Sequence, residues 1–300
     1  MIREATLDDA PAVAGLSALV YPAELVSARG VRHGWEATPE RSRRLMWLAL
    51  DGKAAVGFAA AGLSESSADP GAAVANLYVH PERRLQGIGT ALWELVEPHL
   101  AEIGATHVNS FGLDEEPSRR FMGARGFEVT FVQRMSTLDL ATLGPPPAVP
   151  EGVELVPFAA VDDPRPVYEL EVEALQDVPL DQPHDGLRWE EWHERWWHHP
   201  EHDLQSSLLV LLDGEPVGFT MMFSDPESGR TATGMTATTR HARGRGLARL
   251  VKHHALARAA AAGLELAGTE NDEANAPMLA VNERLGYRPV TANATFSRRR

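Results

Sequence analysis

Two stretches of the chain set arginine, glycine and a small residue at one spacing: Arg84-Leu85-Gln86-Gly87-Ile88-Gly89, with Thr90 after it, and Arg243-Gly244-Arg245-Gly246-Leu247-Ala248. Each follows an apolar run that reads as a strand and opens a longer run that reads as a helix. Glycine permits a tight turn and lets another molecule come close to the backbone. The N–H groups of a helix's first turn have no partner within the helix, so they face outward and attract anions. Arginine is unfavourable there on its own account, because a helix N-terminus already carries roughly half a positive charge. An anion with two or more charges reverses the balance, since arginine–phosphate hydrogen bonds are charge-assisted and roughly twice as strong as neutral ones. The spacing therefore suits the holding of a phosphate or diphosphate. No Gly-Lys-Ser/Thr follows, and neither stretch completes Gly-x-Gly-x-x-Gly with a downstream acid, which excludes the two common nucleotide loops.

The elements that position these loops are also written twice. "LDGKAAVGF" at 50–58 returns as "LDGEPVGF" at 212–219, each two apolar runs about an Asp-Gly turn, the pattern of a β-hairpin. "RFMGARGFEV" at 120–129 returns as "AVNERLGYRP" at 280–289, with Gly126 matching Gly286 and Phe127 matching Tyr287. Hairpin, loop and closing segment recur in one order at offsets of about 160, which points to duplication. Each half then reads as an opening strand (Ile2–Glu4; Val153–Val156), helical segments and the hairpin. A strand follows (74–79; 233–238), then the loop, a long helix (88–102; 246–262) and closing elements. Helices between strands predict an α/β fold in each half, with a mixed, mostly antiparallel sheet. The proline-rich run 142–152 reads as a linker between domains at 1–141 and 153–300.

Composition narrows the function. A formal charge of -14 over 300 residues argues against nucleic acid or an anionic membrane as partner. There is no cysteine, hence no thiol nucleophile, disulfide or Cys-ligated zinc. His198, His199 and His202 stand beside Pro200 in a stretch that reads as a loop, with no fixed acidic partner, so no metal is expected. The acidic N-terminus lacks a signal peptide's pattern, and no run of ~18 apolar residues suggests a membrane span. The expectation is a soluble cytoplasmic protein.

On the loops, the hairpins and the "NAPMLAVNERLGY" segment at 275–287, the chain resembles the GNAT superfamily of N-acetyltransferases, in a tandem layout similar to that of mycothiol synthase. The resemblance implies two GNAT-type domains, with acetyl-coenzyme A lying pyrophosphate-first on the loops. Its pantetheine arm would run along the preceding strand, against the backbones of Leu77 and Val79 or of Thr236 and Thr238. It further implies direct attack by a primary amine of a small molecule or peptide in a ternary complex. Tandem domains would supply within one chain the contact that single-domain relatives make by dimerising, which favours a monomer.

The pattern departs from the family at the usual general acid, a tyrosine five residues before the final aromatic. Met122 and Asn282 stand there. The asparagine that opens the signature is kept as Asn275 but is Glu115 in the first half, and Leu85 replaces a glycine that Gly244 preserves. These differences make the second half the expected catalyst, with Asn275 and Asn282 near the sulfur. Asp177, Asp181 and Asp185 could draw in a cationic amine, with one of them or His193 as base. Trp189, Trp192 and Trp196 have the spacing of a buried helical stripe. The alternative reading is a non-catalytic coenzyme A-binding sensor, both halves having lost turnover with the tyrosine.

Overall fold

The computed structural model describes residues 1–65, 67, 69–177 and 187–300. The first half runs β1 (Ile2–Glu4), α1 (Ala10–Val20), α2 (Ala28–Glu36), β2 (Leu45–Asp51), β3 (Ala54–Leu63), β4 (Ala72–Val79), α3 (Ile88–Glu102), β5 (His107–Leu113), α4 (Glu116–Gly123) and β6 (Glu128–Asp139). The second repeats the order as β7 (Val153–Pro157), α5 (Arg165–Leu175), α6 (Trp189–Trp192), β8 (Leu208–Leu212), β9 (Glu215–Asp225), β10 (Arg230–Thr238), α7 (Leu247–Ala261), β11 (Leu266–Asp272), α8 (Ala276–Leu285) and β12 (Arg288–Arg299). The long helices begin and end within a residue of their expected bounds. Among the described residues no helix is long and apolar enough to cross a membrane.

Among the described residues, the strands within each half pair antiparallel except at one place. β4 runs parallel to β5 only from Ala72–Val74 against His107–Asn109. β10 runs parallel to β11 only from Arg230–Thr233 against Leu266–Thr269. Beyond those residues the two strands part, and the glycine loop follows directly.

Helices cover both faces of the first sheet. Leu92, Val96 and Leu100 of α3 pack on one face with Trp47, Phe127 and Phe296. Val13 and Leu16 of α1 pack on the other with Leu48 and Phe58. In the second half Val251, Ala255 and Leu256 of α7 pack on Val210, Val217 and Tyr287.

The compact units do not divide at the proline-rich run. One unit is built on Met1–Gln133 and includes Thr291–Arg300; the other comprises residues 134–177 and Arg188–Val290. The first unit thus takes the chain's last strand segment: Asn293–Arg299 of β12 lies antiparallel to β5. Arg298 and Arg300 both bond Glu97 of α3 at 2.8 Å, and Phe296 is buried in the first core. The second unit in turn takes Leu138 and Leu140 into its core. The run 142–152 lies wholly in that second unit, and α7 holds it there: His253 donates to the Gly144 carbonyl and His254 to the Pro147 carbonyl, both at 2.9 Å.

The tryptophan stripe is only partly helical in the expected sense. After α6 the chain widens to a π-turn over His193–Trp197. This places Trp197, rather than Trp196, beside Trp192 (6.0 Å) and over Phe158 (5.1 Å). Trp196 turns instead to Phe223.

Because Phe296 reaches the first core from the far end of the sequence, Phe296→Ala is expected to cost about 3–5 kcal/mol, as for other buried phenylalanines. Urea unfolding followed by Trp47 and Trp93 fluorescence, in variants keeping only those tryptophans, would read the loss in the first unit.

Candidate active site

Both glycine loops have one backbone path. A short 3-10 turn leads to an extended arginine, Arg84 or Arg243, followed by a residue in the left-handed region: Leu85 at φ 61° and Gly244 at φ 78°. Gly87 (φ 83°) and Gly246 (φ 78°) then act as N-caps that offer no side chain to the helix. The first-turn N–H groups of α3 and α7 are thereby left for an outside acceptor. Glycine meets the left-handed requirement without a Cβ clash, whereas Leu85 meets it at a cost of roughly 1–2 kcal/mol and with its side chain fully exposed.

The leading arginine of each loop is engaged. Arg84 bonds Glu115 at 2.7 Å. Arg243 bonds Asp177 at 2.6 Å and the Thr238 carbonyl at 3.2 Å, and Arg240 bonds the same Asp177 through Nε at 3.0 Å. Arg240, followed by Arg243, holds the Asp177 carboxyl well below the usual carboxylate range. This corrects the expected role of Asp177: a carboxylate locked between two guanidinium groups is neither a free base nor an open attraction for an amine. Asp181 and Asp185 lie outside the described residues. His193 lies between Trp189 and His198, and burial pushes its pKa down.

Backbone direction supports the expected cofactor path. His80 donates its N–H to Val56 of β3, and Thr239 donates to Val217 of β9. Since peptide groups alternate along a strand, those of Leu77 and Val79, and of Thr236 and Thr238, point the other way, toward the side where the strands part. In the first half Asn76 Oδ1 accepts from Phe111 N at 2.9 Å across the first rung of that opening.

A cavity of about 550 Å³ occupies the opening in the first half. Leu85, Gly87, Ile88, Gly89 and Thr90 of the loop line it, with Leu77 and Val79. Phe121, Met122 and Phe296 line it from the α3 side, and Val20, Tyr21 and Tyr78 from the α1 side, so it passes between the strands from one face to the other.

Met122 stands at the expected acid position and brings only an apolar side chain. Two phenols stand nearby instead. Tyr21, at the end of α1, meets Tyr78 of β4 edge to face at 5.7 Å. Burial pushes both hydroxyls above the ordinary phenol range; at Tyr21, Glu24 and Tyr78 add to this and Arg84 opposes it. The sequence offered no spacing that singles out Tyr21, since it joins the site through the sheet opening.

The second half is built differently at the matching positions. Asn282 is 4 % exposed, accepts from Lys252 Nζ at 2.7 Å and donates to Asn271. Lys252 is fully buried, also bonds Thr269 (3.1 Å), and is pushed down to about 7 by desolvation. With both ends of its amide engaged inside the protein, Asn282 presents nothing to a thiolate, contrary to expectation. Asn275 caps α8 by accepting from Met278 N (3.2 Å), a structural task. Glu171 of α5 is a half-buried acid, held against Trp192 Nε1 at 2.9 Å and pushed up to about 7 by desolvation.

The model of the acetyltransferase (GNAT) family matches residues 17–127 and 166–287, and the chain belongs to that family. A GCN5-related N-acetyltransferase from Sphaerobacter thermophilus is 22% identical, with 100% of this chain and 95% of that one covered at a TM-score of 0.75. A tandem GNAT protein from the clavulanic acid biosynthesis pathway is 23% identical, with 100% and 98% covered at 0.72. At these identities the likeness is one of fold, and the fold is that of a tandem GNAT protein. No curated protein matches the sequence.

Glu171 makes stability depend on pH in a defined direction. Between its unfolded value of about 4.5 and its folded value of about 7, the folded chain keeps a proton that the unfolded chain has lost, so this group's contribution falls as pH rises through that window. Glu171→Gln keeps an acceptor for Trp192 and removes the titration. Urea midpoints from pH 4 to 8 are expected to converge with wild type at the acid end and to exceed it above pH 7.

Proposed function

We propose that this chain moves an acetyl group from acetyl-coenzyme A to a primary amine of a small molecule or peptide, by direct attack in a ternary complex, and that the first half holds the donor. The observation that carries the reading is the cavity joining the Arg84–Gly89 loop on one face to Tyr21 on the other. A thioester donor and an amine can meet only if each reaches the reacting point by its own route, and a passage between parted strands offers two. Holding both reactants in line supplies catalysis through proximity without a covalent enzyme intermediate, in keeping with a chain that has no cysteine.

The residues divide the work simply. The open amides of Ile88, Gly89 and Thr90 and the Arg84 guanidinium receive the diphosphate, Arg84 exchanging the Glu115 carboxylate for it. Leu77 and Val79 present peptide groups to the pantetheine amides as a neighbouring strand would. The second loop has the same backbone path, but Asp177 already holds Arg243 together with Arg240, so its affinity for a diphosphate is lower in this reading. The sensor alternative keeps one specific support: Met122 and the engaged Asn282 leave neither half with the family's usual acid.

Calorimetry with coenzyme A at low ionic strength tests the assignment. Arg84→Glu is expected to weaken the tighter site by about a hundredfold, in line with losing a charge-assisted hydrogen bond and gaining repulsion, while Arg243→Glu leaves that site unchanged. The opposite ranking would move the donor to the second half. In the Arg84→Glu background, adding Asp177→Asn is expected to tighten the remaining site severalfold by releasing Arg240 and Arg243.

A further inference from the structure

We propose that Tyr21 is the hydrogen-bond donor at the reacting end of the first-half cavity, holding the negative charge that forms on the thioester oxygen when the amine attacks; this rests on the donor reading above. The position of the hydroxyl is the first support. The ring is rooted on the α1 face, edge to face with Tyr78, yet its oxygen reaches across to β5: a methyl built on Gly112 would lie 4.0 Å from it. Gly112 belongs to the part of β5 that has already left β4, so the hydroxyl stands in the opening itself. Ser110 of β5 and Tyr78 also line the cavity, and Met122 stands at the place where a tyrosine would be expected. Tyr21 thus restores a phenol to the site from a different element.

The raised affinity of this hydroxyl for its proton decides which role it takes. A group that keeps its proton more firmly than an ordinary phenol is a poor acid toward a thiolate but a steady donor to an oxyanion. In the step it serves, the amine nitrogen bonds to the thioester carbon and the carbonyl pair moves to oxygen. That pair returns as the carbon–sulfur bond breaks, leaving its electrons on sulfur. The proton lost by nitrogen and the proton gained by sulfur exchange with water, and the products are the amide and the free thiol. Tyr21 donates a hydrogen bond throughout and transfers nothing.

Release of thiol from acetyl-coenzyme A, with water and with hydroxylamine as acceptors, tests this without background from a chain that lacks cysteine. Tyr21→Phe is expected to lower kcat by about a hundredfold, the usual loss for one oxyanion donor. Its KM and calorimetric Kd for the donor should stay within twofold of wild type. Unchanged kcat in Tyr21→Phe, alongside loss of turnover in Arg84→Glu, would overturn the role of Tyr21 while leaving the donor site standing. Raised KM with unchanged kcat would overturn it too, making the hydroxyl a binding contact only. Turnover surviving Arg84→Glu but lost in Arg243→Glu would reject the donor reading and Tyr21 with it, as would a wild type no faster than buffer with either acceptor.

Discussion

Two strands that begin parallel and then part leave peptide groups on their inner edges without a strand to bond, and buried peptide groups demand partners. Every other feature of the first half answers to that constraint. The glycine loop follows where the strands separate, the N-terminus of α3 opens beside it, and α1 and α4 wall the gap from opposite faces. A ligand that pairs with a strand edge and ends in a diphosphate satisfies both groups of open amides at once. The fold and the proposed anion site therefore express one arrangement of unpaired backbone.

Duplication has kept that arrangement in both halves and changed what surrounds it. In the first, Trp93 meets Phe127 edge to face at 5.5 Å, with Arg298 over the Phe127 ring and Met122 buried nearby. In the second, the matching positions hold Lys252, Tyr287 and Asn282, tied by hydrogen bonds and a cation–π contact of 4.9 Å. An apolar wall can face a cavity, whereas a buried amine demands that neighbouring polar atoms turn inward to it. Lys252 thus accounts for the orientation of Asn282 and for the divergence of the two halves.

The parts of this that local sequence determines were legible. Asp-Gly turns, glycines at helix starts and the spacing of apolar residues act over a few positions, and the hairpins, loops and long helices followed from them. Contacts made across the fold were not legible. Nothing near Asp177 in sequence announces Arg240 and Arg243, which bond it over more than sixty residues. Nor does anything near Lys252 in sequence announce Asn282 and Thr269, which bond it from other elements. The exchange of last strands was hidden for the same reason, since Thr291–Arg300 looks like the natural end of the second half and packs in the first. Tyr21 belongs to this group, being more than sixty residues from Arg84, with which it shares a cavity.

Amide hydrogen exchange with and without coenzyme A addresses the central claim directly, because the account concerns particular N–H groups. Slower exchange on binding at Leu77, Val79, Ile88, Gly89 and Thr90 is the predicted result. Exchange unchanged at those five amides in protein saturated with coenzyme A would contradict it.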